Sequence, residues 1–597
     1  MYQSFDTIAD PTRGPVRLER LRRAMKMKGL DGFIIPRADA HQGEYVAECD
    51  RRLAWLTGFT GSAGFCIALA DAAGVFIDGR YRNQVNSQVD LDHFSPVHWP
   101  EIQPGKWLLE TAAKGQKIGF DPWLHSRGEI ERISKDVGSA GITLVPTDNL
   151  VDQIWADRPA PPAKPITTQP LEYAGQSRKD KAAEIADELL TRGLKAQVLT
   201  LADSIAWLMN IRGTDVEHTP IVQGFAILHD DAEIQFFTQE GREGLEALTG
   251  VSIHPTRAFG AALEALKGSV GVDKGSAPYA VTQHLESGKV AFEWNDDPVV
   301  LPKARKNPTE LSGARAAHLR DAAAVVEFLA WFNGADKTAL TEIDLVEALE
   351  AKRRATGKLE DISFETISGT GPNGAIMHYR VTHDTNRQLA EGDLVVLDSG
   401  GQYRDGTTDI TRVLAVGVVG QEEKRCFTRV LQGMIALSRT YFPKGRSGRD
   451  LDPIARYPLW AAHQDFNHGT GHGVGAFLSV HEGPQRFSYV SEVPLEPGMI
   501  LSNEPGYYRD GAFGIRIENL VVVEQARSPD GGDADRQMLG FETLTFVPID
   551  TGLVIADMLS GEERGWLNDY HAACLEKLGP VVSDVAYQWL KGACARI

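Results

Sequence analysis

The chain has 597 residues, more than one hydrophobic core accommodates, so several domains are expected. Hydrophobic residues make up 42% and charged residues 24%, the balance of a globular protein, and a formal charge of −19 argues against nucleic acid or anionic lipid as main partner, since both need a basic face. Five cysteines, with no C-x-x-C pair, suit a reducing compartment better than a disulfide framework. The opening "MYQSFDTIADPTRGPVRLERL" has acids early and no apolar run, and no stretch approaches the roughly 18 apolar residues of a membrane span. These features predict a cytoplasmic protein.

Two segments of the first half resemble each other. In "GLDGFIIPRADAHQGEYVAECDRRLAWLTGF", from Gly29, and "GLKAQVLTLADSIAWLMNIRG", from Gly193, a basic-containing helical stretch precedes Gly-Leu; an apolar strand, Ala-Asp and Ala-Trp-Leu follow. The offset is 164 residues at Gly-Leu and 152 at Ala-Trp-Leu, so the first copy holds twelve extra residues. The proline-rich "DRPAPPAKPITTQP", residues 157 to 170, reads as an extended linker between the copies. A second break falls near Pro308. We expect an α/β (α+β) chain: tandem α/β domains over residues 1–158 and 171–307, without obvious chemistry, then a third domain over 308–597.

The third domain begins with Leu319, Ala322, Val326, Leu329 and Phe332 at helical spacing, a run that Asn333-Gly334 can end. "GTGPNG", residues 369 to 374, matches a dinucleotide fingerprint, but Pro372 and Asn373 favour a turn and "AIMHYRVTH" looks extended, so a turn is the reading adopted. No G-x-S-x-G elbow or H-E-x-x-H pair supports a serine hydrolase or helical zinc protease.

"DLVVLDSGGQYRDGTTDITRVLAV" reads as a β-hairpin with Asp398 ending one arm and Asp409 in the other, neighbours across the ladder. "LSNEPGYYRDGAFGIRIENLVVVE" places Glu504 and Glu518 symmetrically about Gly511, again facing across a hairpin. Four converging carboxylates would repel and titrate unless cations neutralise them, and two divalent ions would balance the charge. "HGTGHGVG", residues 468 to 475, would add a neutral imidazole, its glycines letting the backbone approach the cluster.

These words, with "VHEGP", "AWLTGFTGSAG", "DVEHTPI" and "ETLTFVPID", resemble the pita-bread metallopeptidases, and among them the long three-domain aminopeptidase P family. The resemblance implies two creatinase-like N-terminal domains followed by a catalytic pita-bread domain. It implies a hydrolase, a metalloprotease that cleaves the bond between a peptide's first residue and a proline in second position, by attack of a hydroxide shared between two cations.

Residue by residue, it implies that Asp398 binds one metal and His472 and Glu504 the other, with Asp409 and Glu518 bridging. Glu504 would take the nucleophile's proton. His378 and His481 would orient substrate and stabilise the tetrahedral intermediate, His468 would line the proline pocket, and Tyr508 would stand near the scissile bond. Arg516, two residues before Glu518, is expected on the same strand and face, within reach of a carboxylate. Thr411 is expected to support Asp409. Oxygen-rich ligation with one imidazole suits Mn²⁺ or Co²⁺ more than a thiolate-rich zinc site, and the resemblance implies Mn²⁺, with Co²⁺ or Zn²⁺ as alternatives. The family also implies a homodimer. The rival readings are a prolidase restricted to Xaa-Pro dipeptides and a non-catalytic peptide-binding protein on the same scaffold. The C-terminal "GEERGWLNDYHAACLEKLGP" reads as a closing amphipathic helix.

Overall fold

The computed structural model describes residues 1–527, 530–533 and 535–597, in two compact units. One unit comprises Ile8–Leu171 with Gln176–Val299; the other comprises Met1–Thr7, Glu172–Gly175 and Val300–Ile597. Among the described residues no helix is long and apolar enough to cross a membrane.

The first unit contains two six-stranded mixed sheets of the same topology. In sheet order, the first runs Ser95–His98, Ala73–Ile77, Phe65–Leu69, Gly32–Pro36, Lys117–Phe120, Thr143–Pro146. The second runs Val251–Pro255, Ile234–Thr238, Gly224–His229, Ala196–Leu199, Ser269–Val272, Ala291–Trp294. In both, the neighbours run parallel, antiparallel, antiparallel, parallel, parallel in that order, which gives the sequence repeat its physical form. Strands Gly32–Pro36 and Ala196–Leu199 are buried along their whole length, as expected of sheets covered on both faces. The recurring Gly-Leu follows from backbone geometry. Gly29 and Gly193 leave their helices at φ of 68° and 74°, a conformation that costs any L side chain energy. The proline-rich linker is extended and pinned by Arg242, which donates to the carbonyls of Pro162 and Lys164.

In the second unit the long helix Pro308–Gly334 is started by a capping box between Asn307 and Glu310, with proline in its first turn. Strand Leu394–Ser399 pairs with Ile367–Thr370 and Ile410–Ala415 in a three-stranded antiparallel sheet. A six-stranded sheet runs Phe442–Pro443, Met538–Thr543, Asn519–Gln525, Ile500–Asn503, Gly471–Gly473, Glu482–Phe487. Helices Gln421–Ser438 and Gly561–Leu578 cover a core that includes Val395, Leu397, Ile410, Phe427, Ile515 and Leu567. The C-terminal segment expected as a closing helix is the second of these, but a further helix, Asp584–Ala593, follows it.

One expectation is corrected. Residues after "GTGPNG" form no strand: a short 3-10 helix spans Gly371–Ala375 and an irregular loop follows. The buried Glu342 carboxylate organises this loop, accepting from the Thr370 and Arg387 N–H groups, Asn373 Nδ2 and the Tyr379 hydroxyl. A backbone wound around one carboxylate cannot also run in a ladder.

Candidate metal centre

Both acid-bearing hairpins exist, in more elaborate form than the sequence suggests. In the first, Asp398 pairs with Thr411 and Ser399 with Ile410, so Asp409 lies just ahead of the returning strand. The residues between the arms form two short strands of a separate sheet, Gly401–Tyr403 and Gly406–Thr407. In the second, the outer ladder ends at Asn503 opposite Asn519, and the inner hairpin Gly506–Arg509 with Phe513–Arg516 begins beyond it. Glu504 and Glu518 occupy the joints between the two ladders.

The ligand atoms of Asp409, His472 and Glu518 lie within 4.8 Å of one another. His472 Nε2 stands 3.5 Å from Asp409 Oδ2 and 3.5 Å from Glu504 Oε1. Its Nδ1 donates to the Gly473 carbonyl at 2.9 Å, so Nε2 is the nitrogen facing the acids, carrying a proton in the metal-free protein and offering its lone pair where a cation takes that proton's place. Asp398 Oδ2 accepts from Arg516 at 2.5 Å, while Asp398 Oδ1 is buried without a hydrogen-bond partner. Glu518 Oε2 accepts from the Thr411 hydroxyl at 2.8 Å, and its Oε1 is likewise orphaned.

The electrostatics express the crowding. Burial, reinforced by the charges of Asp409, Glu504 and Asp398, pushes Glu518 well above the usual carboxylate range. Burial also raises Asp409 to about 6, against the opposing pull of His472. For His472 burial acts downward, but Asp409 and Glu504 outweigh it and hold the imidazole at about 9. Protons are thus held where neutralising charge is needed. Orphaned buried carboxylate oxygens, oxygen-dominated donors and one correctly oriented imidazole form a donor set that fits divalent cations.

The glycine-rich run is explained by close approach. Strand Gly471–Gly473 lies between Glu482–Phe487 and Ile500–Asn503. A Cβ on Gly471 would fall 1.9 Å from the Ser502 carbonyl oxygen, and one on Gly473 would fall 2.5 Å from that of Glu482. Ser502 Oγ in turn accepts from the His472 N–H and donates to Glu504 Oε1.

His468 Nδ1 donates to the Gly469 carbonyl, so its Nε2 accepts from the Tyr508 hydroxyl at 2.9 Å. That hydroxyl accepts from Arg516 at 2.7 Å. The His481 ring stands edge-on to His472, centroids 4.3 Å apart. His378 is half-buried and follows Met377, whose carbonyl accepts from Arg516.

One expected supporting role changes, and one expected placement. Thr411 bonds Glu518 rather than Asp409, because Asp409 lies outside the strand that carries Thr411. Arg516 does not share a strand with Glu518: it ends the inner hairpin, before the chain enters the outer ladder at Asn519. It does meet a carboxylate, that of Asp398. Arg412, which is not among the residues singled out from the sequence, is buried and donates to the Glu518 carbonyl and Asn519 side chain. An arginine inside the apolar run "ITRVLAV" was the available signal.

Fold and site define a metallopeptidase behind creatinase-type domains. A model described as metallopeptidase family M24 matches residues 312–525, and one described as the C-terminal region of peptidase_M24 matches 537–597. Creatinase/prolidase N-terminal domain models match 17–154 and 157–310. The chain is 38% identical over 606 residues to a probable Xaa-Pro aminopeptidase P of Talaromyces marneffei, covering 96% of this chain and 91% of that protein. It is 39% identical over 626 residues to aminopeptidase P2 of Arabidopsis thaliana, covering 96% and 87%. The crystal structure of an X-prolyl aminopeptidase from Caenorhabditis elegans, described as a cytosolic enzyme with a di-nuclear active site, matches with a TM-score of 0.93 at 32% identity, covering 98% of this chain and 100% of that one. A prolidase from Thermococcus sibiricus, 22% identical with a TM-score of 0.50, covers 63% of this chain and shares the fold alone. The chain belongs to the M24 metallopeptidases, in their Xaa-Pro aminopeptidase P branch.

Proposed function

We propose that this chain is an Xaa-Pro aminopeptidase, releasing the N-terminal residue from peptides with proline in second position with the aid of two divalent cations. The observation that carries the reading is the orphaned, proton-holding acid cluster around His472, on a scaffold that matches an X-prolyl aminopeptidase along its whole length. Asp398 would hold one cation, His472 and Glu504 the other, and Asp409 and Glu518 both. When bound, the cations supply Lewis acidity and lower the pKa of water enough for a nucleophile near neutral pH.

The chain's own residues do the rest. Glu504 takes the nucleophile's proton. His378 and His481 orient the scissile carbonyl and stabilise the charge that develops on its oxygen. His468, its tautomer set by Gly469 and Tyr508, lines the proline side. The Xaa-Pro bond is a tertiary amide without an N–H, so this side needs no acceptor there, but the departing secondary amine must receive a proton.

Mn²⁺ is the proposed metal, supported by an oxygen-rich donor set with one imidazole that suits Mn²⁺ or Co²⁺, and by the family resemblance for manganese between them. A cytoplasmic location is supported by five free, buried cysteines, and a homodimer by the family resemblance. The proposed domains are 1–158, 171–307 and 308–597, supported by the two repeated sheets and the capped start of the helix at Pro308.

The deciding experiment compares Arg-Pro-Pro with an Xaa-Pro dipeptide, before and after chelation and Mn²⁺ replacement. Release of arginine from the tripeptide, lost on chelation and restored by Mn²⁺, is expected. Cleavage of the dipeptide alone would make the protein a prolidase, and no turnover by the metal-loaded protein would leave a binding scaffold. Glu504→Gln should keep the fold and abolish turnover.

A further inference from the structure

Outside the acid cluster, the second unit buries a side-chain group that the mechanism above does not use. Lys303 and Lys306, in the segment leading into the helix at Pro308, have side chains 3% and 1% exposed. Both reach one carboxylate, that of Glu482, itself fully buried: Lys303 Nζ lies 3.2 Å from Oε1 and Lys306 Nζ 2.5 Å from Oε2. Lys306 Nζ also donates to the Lys303 carbonyl at 2.8 Å. Lysine is almost never buried this deeply unless paired; Lys306 hydrogen-bonds Oε2, while Lys303 sets a second positive charge beside Oε1, which makes no hydrogen bond.

Glu482 is the residue after His481. Its backbone pairs with Gly473, next to His472, at the point where the ladder shifts register. Its Oε1 lies over Gly475, where a Cβ would come within 3.0 Å of it. Glu482 thus ties two neighbours of the His472–His481 pair together: its backbone joins the strand that carries His472 and follows His481 directly, while its carboxylate lies against Gly475; the two histidine rings meet edge to face. The segment holding the lysines is itself anchored: Lys306 N–H donates to the Gly498 carbonyl, and Arg305 pairs with Glu496.

We infer that Lys303 and Lys306 are positioning residues that act through Glu482 to set the place of His481 relative to His472. The inference rests on the peptidase reading, in which His481 faces the substrate. A ring that stabilises a developing charge must be held within a fraction of an ångström, and a neighbouring side chain hydrogen-bonded to one buried lysine and charge-paired with another provides that restraint.

A double-mutant cycle tests this, with Lys306→Met and His481→Ala alone and together, kinetics on Arg-Pro-Pro and bound metal measured for each. Lys306→Met should lower kcat about 10- to 100-fold, leaving KM within about threefold and metal content unchanged. In the His481→Ala background it should have no further effect, and Lys306→Arg should recover most of kcat. If Lys306→Met does not fold, Lys303→Met, which keeps one lysine on Glu482, takes its place in the same cycle. An impaired His481→Ala enzyme together with a lysine variant of wild-type kcat, or with an effect that multiplies in the double mutant, would overturn the inference alone. A His481→Ala enzyme with wild-type kcat would overturn the role given to His481, and the inference with it.

Discussion

Asp398 and Arg516 form a buried ion pair at 2.5 Å, joining two hairpins whose pairing residues lie 118 positions apart in sequence. The same guanidinium also donates to the Tyr508 hydroxyl, the Thr411 hydroxyl and the Met377 carbonyl. Burial works against its charge, but Tyr508, Asp398 and Glu504 outweigh that and hold it firmly protonated. One planar group thus sets Asp398, the Tyr508–His468 bond and the backbone before His378.

Arg516→Lys should therefore be far from conservative. A single ammonium cannot reach acceptors spread around a planar fork, so kcat/KM should fall about 10- to 100-fold with the fold retained. Arg516→Met, which strands Asp398, should cost about 3–5 kcal/mol in the metal-free protein. Steady-state kinetics and urea denaturation check both. Wild-type kinetics for the lysine variant would show that a bare charge suffices.

The acid cluster predicts how metal-free and metal-loaded proteins diverge with pH. Asp409 rises from 3.8 to about 6 on folding, so its contribution to stability is present below 3.8 and lost as pH rises through about 6. His472 rises from 6.5 to about 9, so its contribution is present below 6.5 and lost through about 9. Cations replace these protons and bind more tightly as pH rises. The gap in Tm between Mn²⁺-loaded and chelated protein should widen from about pH 5 to about pH 9. A gap independent of pH would contradict the placement of these two groups.

Gly471→Ala tests the close approach of strands at the imidazole ligand. Its Cβ would meet the Ser502 carbonyl oxygen at 1.9 Å, so strand and His472 must shift. A loss of about 1–3 kcal/mol and of bound metal is expected. Gly561→Ala, with nothing within 4 Å, is the neutral control. Equal stability and metal content in the two variants would remove the close-approach argument.

His571, buried on the helix Gly561–Leu578, accepts from the Ile549 N–H through Nε2, so it must be neutral there. Burial, with Arg412 nearby, pushes it down to about 4 from 6.5. A histidine with a lowered folded pKa contributes stability that is present above 6.5 and lost as pH falls towards 4, up to about 3 kcal/mol in all. His571→Gln, which keeps an acceptor but does not titrate, should flatten the acid limb of the stability curve. An unchanged acid limb would assign that limb to other groups.

Local pattern made much of this protein legible. The paired copies around Gly29 and Gly193 announce two like domains, because a left-handed helix exit demands glycine wherever the same turn recurs. Hairpin symmetry about Gly511 locates Glu504 and Glu518 at matched positions, because a strand ladder counts residues equally on both arms. The site's supporting contacts obey no such count. Arg516 finding Asp398, Thr411 finding Glu518, and Lys303 and Lys306 sharing Glu482 all depend on which separately formed hairpins and segments come to lie against each other. Periodicity records which face of an element is buried. The partner a buried charge meets there is decided only when distant elements pack and exclude the water that would otherwise solvate it.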